Sequence, residues 1–135
     1  MSTPVTDAPT TQPDAGPDRI FHLATARAWA DSFASGEYRE STLGATLEQV
    51  GFIHASYANQ VRGVADAFYQ GRDDIVLLVI DPARVGVEIR EELDPGSGQY
   101  FPHLFGALPV VAVVAAPSVG QLPDGRLDLD ALLAP

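Results

Sequence analysis

The chain has 135 residues with a formal net charge of −10, enough for one domain, and 46% of it is hydrophobic, enough for a real core. There is no cysteine, which excludes disulfides, thiolate metal sites and cysteine nucleophiles, and no lysine, which excludes a Schiff base or a P-loop lysine. An acidic body repels phosphate backbones, so non-specific nucleic-acid binding is not expected; a local arginine pocket for one small phosphate stays open.

Residues 1–18 are rich in Pro, Thr, Asp and Ala, with almost no large apolar side chain. They cannot bury enough surface to offset ordering entropy, and a disordered tail is expected there. The segment has no basic start and no apolar stretch of a signal peptide. The longest apolar run, Leu108 to Ala116, falls short of the roughly 18 residues that span a membrane. A cytoplasmic protein without membrane contact is the expectation.

The folded part, 19–135, then begins abruptly. Arg19 to Thr25 reads as a strand, being rich in large apolar and β-favouring residues. Thr25 can cap a helix over Ala26 to Ser35, where Trp29 and Phe33 share a face and Gly36 is a plausible stop. Glu37 to Val50 is less regular and reads as a short helix or an ordered loop. Gly51 to Ser56 is a second short strand, with Ser56 placed as the N-cap of the next helix. Asn59 to Gln70 sets Val61, Val64, Ala65 and Phe68 on one amphipathic face, ended by Gly71.

Asp74 to Pro82 holds six consecutive apolar residues and reads as a central buried strand. Val85, Val87 and Ile89 alternate with Gly86, Glu88 and Arg90, the pattern of a half-exposed strand. Asp94-Pro-Gly-Ser-Gly98 is a turn. The aromatic segment Tyr100 to Gly106 reads as a structured loop, and Val110 to Ala115 as a buried strand. Leu122 to Leu127 is a hairpin with Asp124-Gly125 at its turn. This order, helical early and mostly strands later, predicts an α+β fold with two main helices on small mixed sheets.

The chain's three histidines all sit in apolar or aromatic settings: Phe21-His22-Leu23, Ile53-His54-Ala55 and Pro102-His103-Leu104. One histidine in such a setting is as often a packed core residue as a functional one. Three of three favours a shared role, because imidazole changes charge near neutral pH and can donate a hydrogen bond while neutral. No H-x-x-x-H spacing or carboxylate pattern accompanies them, so a metal site is not expected. Ser56 beside His54 lacks the G-x-S-x-G setting of a nucleophile, and capping, which contributes about 1 kcal/mol, is the simpler role. The run Glu88, Glu91, Glu92, Asp94 reads as a solvated strand face. Arg39 and Arg90 are candidate anion clamps, although arginine is common on exposed strands.

Three blocks carry a family likeness: Ile20-Phe-His-Leu-Ala-Thr25, Gly51-Phe-Ile-His-Ala-Ser56 and Phe101-Pro-His-Leu-Phe-Gly106. With Gly36-Glu-Tyr-Arg39 and Val76-Leu-Leu-Val-Ile-Asp81 they resemble the bacterial family called domain of unknown function 952, from Arg19 to about Val114. The resemblance implies a fold remotely similar to the ADP-ribosyltransferase and RNA 2′-phosphotransferase group. By that likeness NAD or ADP-ribose is the implied ligand and transfer the implied activity, with His22 holding a ribose, His54 and Ser56 on the second strand, and His103 near the chemistry. Gln99 stands where the family commonly has Glu, and Phe105 where it has Tyr. Those losses of a carboxylate and a hydroxyl favour the alternative of a non-catalytic module that binds a small ligand or a partner. A third reading is a different hydrolase or phosphotransferase with His54 or His103 as general base.

Overall fold

The computed structural model describes residues 19–133. The expected disordered tail, 1–18, lies outside the described residues.

The apolar run after Asp74 is the strand β6 (Ile75–Ile80), with all six side chains buried. It lies at the centre of a three-stranded sheet. On one side it pairs with β1 (Ile20–Thr25), in register from Ile20 opposite Ile80 to Thr25 opposite Ile75. On the other it pairs with β10 (Val113–Ala115). Both faces of β6 are covered, which is why it reads as a continuous apolar run and not as an alternation. Val76, Leu78 and Ile80 face one core, against Ile53, Leu104 and Leu108. Ile75, Leu77 and Val79 face a second, against Val61, Ala65 and Leu127.

Each face carries one of the two main helices. Helix α1 (Ala26–Ser35) starts where the Thr25 hydroxyl accepts the Ala28 N–H at 3.1 Å. It ends at Gly36, whose φ of 80° suits a residue without Cβ. Trp29 packs on the first core, and Phe33 touches it edge-on from the exposed side. Between α1 and the next sheet the chain forms β2 (Glu37–Tyr38), β3 (Glu40–Thr42), β4 (Ala45–Thr46) and the one-turn helix α2 (Leu47–Val50), which Thr46 and Gln49 close with a capping box.

The second sheet has the order β5 (Ile53–His54), β8 (Gln99–Leu104), β7 (Ile89–Asp94). The strands β7 and β8 form a hairpin over the expected turn, where Gly98 donates its N–H to the Asp94 carbonyl at 2.8 Å. Helix α3 (Val61–Phe68) packs Val61 and Ala65 on the second core. Three small ladders complete the fold: β3 with β4, β2 with β9 (Leu108–Pro109), and β11 (Gly120–Gln121) with β12 (Leu127–Asp128) over the expected Asp124-Gly125 turn. The last described helix, α4, spans Asp130–Leu133. No helix among the described residues is long and apolar enough to cross a membrane.

The α+β class holds, with several corrections. Every strand pairing is antiparallel, so the sheets are not mixed. The segment read as a loop, Tyr100 to Gly106, supplies the central strand β8. Proline is rare in central strands, yet Pro102 is accommodated here. Its missing N–H falls just past the end of β5, where only its carbonyl is used, accepting from Ala55 N–H at 3.0 Å. Residues 82–84 form a 3-10 turn, and the strand expected from Val85 begins only at Ile89. Val110–Ala112 is likewise a 3-10 turn before the short, half-buried β10. Helix α3 stops at Phe68, before Gly71, and Phe68 is 70% exposed. Ser56 does not cap α3. It forms a bridge to Phe21, with N–H to carbonyl bonds of 2.8 Å in both directions, which ties β1 to the second sheet.

Candidate functional site

That bridge brings the three histidines together. His54 and His103 are directly opposite in the β5–β8 ladder, so their rings are cross-strand neighbours. His54 Nδ1 lies 3.2 Å from His103 Nε2. His103 Nδ1 lies 2.8 Å from a carboxylate oxygen of Glu92, which reaches diagonally from β7. Phe52 stacks flat on the His103 ring at 4.0 Å. From the first sheet, His22 places Nδ1 2.6 Å from the His54 carbonyl and Nε2 2.8 Å from the Tyr38 hydroxyl.

The acceptor-only partners assign the protons. A backbone carbonyl cannot donate, so His22 carries its hydrogen on Nδ1; its Nε2 is then bare and accepts from Tyr38. Burial holds His22 down to about 4, outweighing the opposite pull of the His54 carbonyl, so the ring is neutral at pH 7. Burial also pushes the Tyr38 phenol well above its ordinary range, keeping it a donor. By the same logic the Glu92 carboxylate accepts a hydrogen bond from His103 Nδ1. His54 is held to about 4, first by burial and then by the neighbouring His103, with Asp94 partly opposing.

Two adjoining cavities open on this cluster. One, of about 430 Å³, is mostly apolar and is walled by Phe21, Phe68 and Phe101 with His22 and His54. The other, of about 680 Å³, is wider and more open; Phe52, His54, His103, Glu92 and Asp94 line it. They share Ser41, Thr42, His54 and Asp94. None of the described arginines lines either one.

Of the residues singled out from the sequence, His22, His54, His103 and Ser56 meet at these cavities. Phe105 lies just outside, touching Phe52 and covered by the Arg90 guanidinium at 4.3 Å. Gln99 is exposed at the start of β8, opposite Asp94, and lines neither cavity. Arg39 is exposed and bonded to Glu37 and Glu48, and it too lines neither. Among the described residues no group of three or more His, Asp or Glu side chains could hold a metal ion.

Four contributors were missed: Tyr38, Glu92, Asp94 and Ser41. Tyr38 stands within a block the family resemblance had marked, and Glu92 within the acidic run. Ser41 gave no signal. Its hydroxyl is fully buried and is the one buried side-chain polar atom without a partner among the described residues. A buried unpaired hydroxyl costs about 1–3 kcal/mol. Ser41→Ala is therefore expected to raise stability by about 1 kcal/mol, seen as a higher denaturant midpoint. A drop would mean that Ser41 has a structural partner after all.

The family model described as Protein of unknown function (DUF952) matches residues 23–116. The chain belongs to the DUF952 family. His54 and His103 fall within the matched residues, and His22 lies one residue before them. Among solved structures, this DUF952 domain is similar to the crystal structure of protein CC0527 from Caulobacter crescentus, with a TM-score of 0.77 and 27% identity over 87% of this chain and 99% of that one. A crystal structure of a double mutant of CC0527 gives the same values. Its solution NMR structure gives a TM-score of 0.73 at 27% identity, over 87% of this chain and 97% of that one. No curated protein matches the chain.

Proposed function

We propose that this DUF952 domain binds the nucleoside end of an NAD- or ADP-ribose-type nucleotide in the two-lobed cleft. The observation that carries the reading is the junction of an apolar, aromatic-walled lobe with a polar one at Ser41, Thr42, His54 and Asp94. A flat base suits the apolar lobe, as ligand sites are mostly apolar with a few placed polar groups. A ribose at the junction meets hydroxyl, imidazole and carboxylate, and acidic residues hold ribose hydroxyls in dinucleotide sites. With no arginine in the lining, the phosphates stay in the wide, open lobe, hydrated and not gripped. His22, whose two ring nitrogens are both engaged, serves here to position His54 and does not itself hold the ribose. The ADP-ribosyltransferase group, which the sequence resemblance implies, would support this reading only by analogy of fold.

A second reading has its own support. The series Glu92, His103, His54 resembles the oriented base of hydrolytic sites, in which a carboxylate fixes the tautomer of an imidazole. It favours His54 as general base on some other small molecule.

Thermal unfolding with NAD, ADP-ribose, adenosine and sugar phosphates separates these. A ligand at 100 times its dissociation constant stabilises by about 2.7 kcal/mol. The expected result is a shift with NAD, ADP-ribose and adenosine that His54→Ala abolishes. Because phosphate is not gripped, adenosine should lose little against ADP-ribose. No shift with any nucleotide at millimolar concentration removes the nucleotide reading. A shift without nicotinamide release identifies a binding module.

A further inference from the structure

The apolar lobe of the cleft has one charged group in its lining. Burial keeps His22 and His54 neutral at pH 7 and no arginine reaches the lobe, so Asp94 alone carries a charge there. Asp94 ends β7, and the turn that follows fixes its carboxylate, with the Ser97 N–H donating to Oδ2 at 3.1 Å. Bonds from Ser97 first, then from the Gly96 backbone, hold the carboxyl below its ordinary range. These donors are neutral, so they orient the carboxylate without cancelling its charge. Among the described residues Asp94 forms no ion pair.

The wider lobe adds one more acid, Glu92, which bonds His103. With His103 charged, that pair cancels; with it neutral, a second negative charge is present. Either way the cleft is net negative, in a chain of net charge −10. Around the charge the walls are aromatic. Phe21 and Phe101 are buried, whereas Phe68, the last residue of α3, is 70% exposed, so its ring is open to a ligand. The face of an aromatic ring attracts a cation, and more strongly where water is excluded. A cleft lined by one sign of charge favours the opposite sign. An apolar cavity with aromatic walls and a lone carboxylate therefore suits a flat body that carries positive charge.

We propose that the apolar lobe selects a nucleoside whose base is cationic, with Asp94 as the counter-charge and the Phe68 ring as an aromatic wall. The shared chemistry is an N-alkylated aromatic cation, a purinium or a pyridinium ring. The proposal rests on the nucleoside reading of this cleft and deepens it by naming the charge of the base.

Calorimetric titration of the full chain at pH 7 with matched compounds tests this. The pairs are 1-methyladenosine against adenosine, and nicotinamide riboside against its 1,4-dihydro form; in each the first carries a positive ring and the second is neutral. Benzyltrimethylammonium serves as a cation without ribose. A cationic member is expected to bind about tenfold more tightly than its neutral partner, with a margin that shrinks as salt is raised. Asp94→Asn keeps an oxygen for the Ser97 N–H and should erase the margin by weakening the cations alone. Phe68→Leu, at an exposed position, should weaken the cations several-fold. A margin in only one pair upholds the proposal and names the ring. Equal binding within both pairs, or a margin that survives Asp94→Asn, overturns the proposal and leaves the nucleoside reading standing. Binding of benzyltrimethylammonium that Asp94→Asn abolishes, with no nucleoside bound, upholds the selection of a cation and overturns the nucleoside reading. No binding by any of these compounds overturns both.

Discussion

Acidification from pH 7 to pH 4 is expected to weaken the fold by on the order of 3 kcal/mol through His22 alone. The ring is 4% exposed and is held neutral, with its pKa lowered from 6.5 to about 4, chiefly by burial. In the unfolded chain it protonates near 6.5, so between those values the unfolded state binds more protons. Stability contributed by this group is complete above about pH 6.5, falls as the pH drops through the window, and stops changing below about 4. His54 moves in the same direction over the same window. The carboxylates with lowered values, such as Glu48 and Asp94, respond only at more acidic pH. Denaturant midpoints measured at half-unit steps from pH 7 to 4 check this. A flat profile over that range would mean that His22 is charged in the fold or opens easily to water.

The second large effect concerns β6. Leu78→Ala is expected to cost about 2–5 kcal/mol, because it leaves a cavity in a place that cannot collapse. Leu78 is fully buried on the central strand of the sheet, with β1 fixed on one side and β10 on the other. It packs in the core that also holds Ile53 and Leu104, the strand neighbours of His54 and His103. The loss is a large part of the 5–15 kcal/mol typical of a domain. Urea unfolding of wild type and variant measures it; a cost under 1 kcal/mol would show that the surrounding strands close the gap.

How much of this was legible depended on whether a pattern is local. β1, α1 and β6 followed from apolar runs, a capping threonine and a terminating glycine, all readable within a few residues. The grouping of the three histidines was suspected from their apolar neighbours, yet it needs the β5–β8 register and the Phe21–Ser56 bridge, both long-range. Strand β8 was mistaken for a loop, and Pro102 gives no local sign of a central strand; that its lost donor falls beyond the end of β5 is a fact about another segment. Glu92 looked like one more solvated acid, since only the diagonal across β7 and β8 brings it to His103. Ser41 was silent because a register slip, not a residue preference, aims it.

The bridge between Phe21 and Ser56 gives the site a particular kind of fragility. His22 and Tyr38 enter from the side of β1, His54 and His103 from the other sheet, and the two groups meet only while those sheets stay docked. No partial opening that parts them can leave the cluster intact. The histidines are therefore not an addition to a self-sufficient scaffold. They belong to the seam itself, and the cleft is present only in the cooperative, fully assembled state of the molecule.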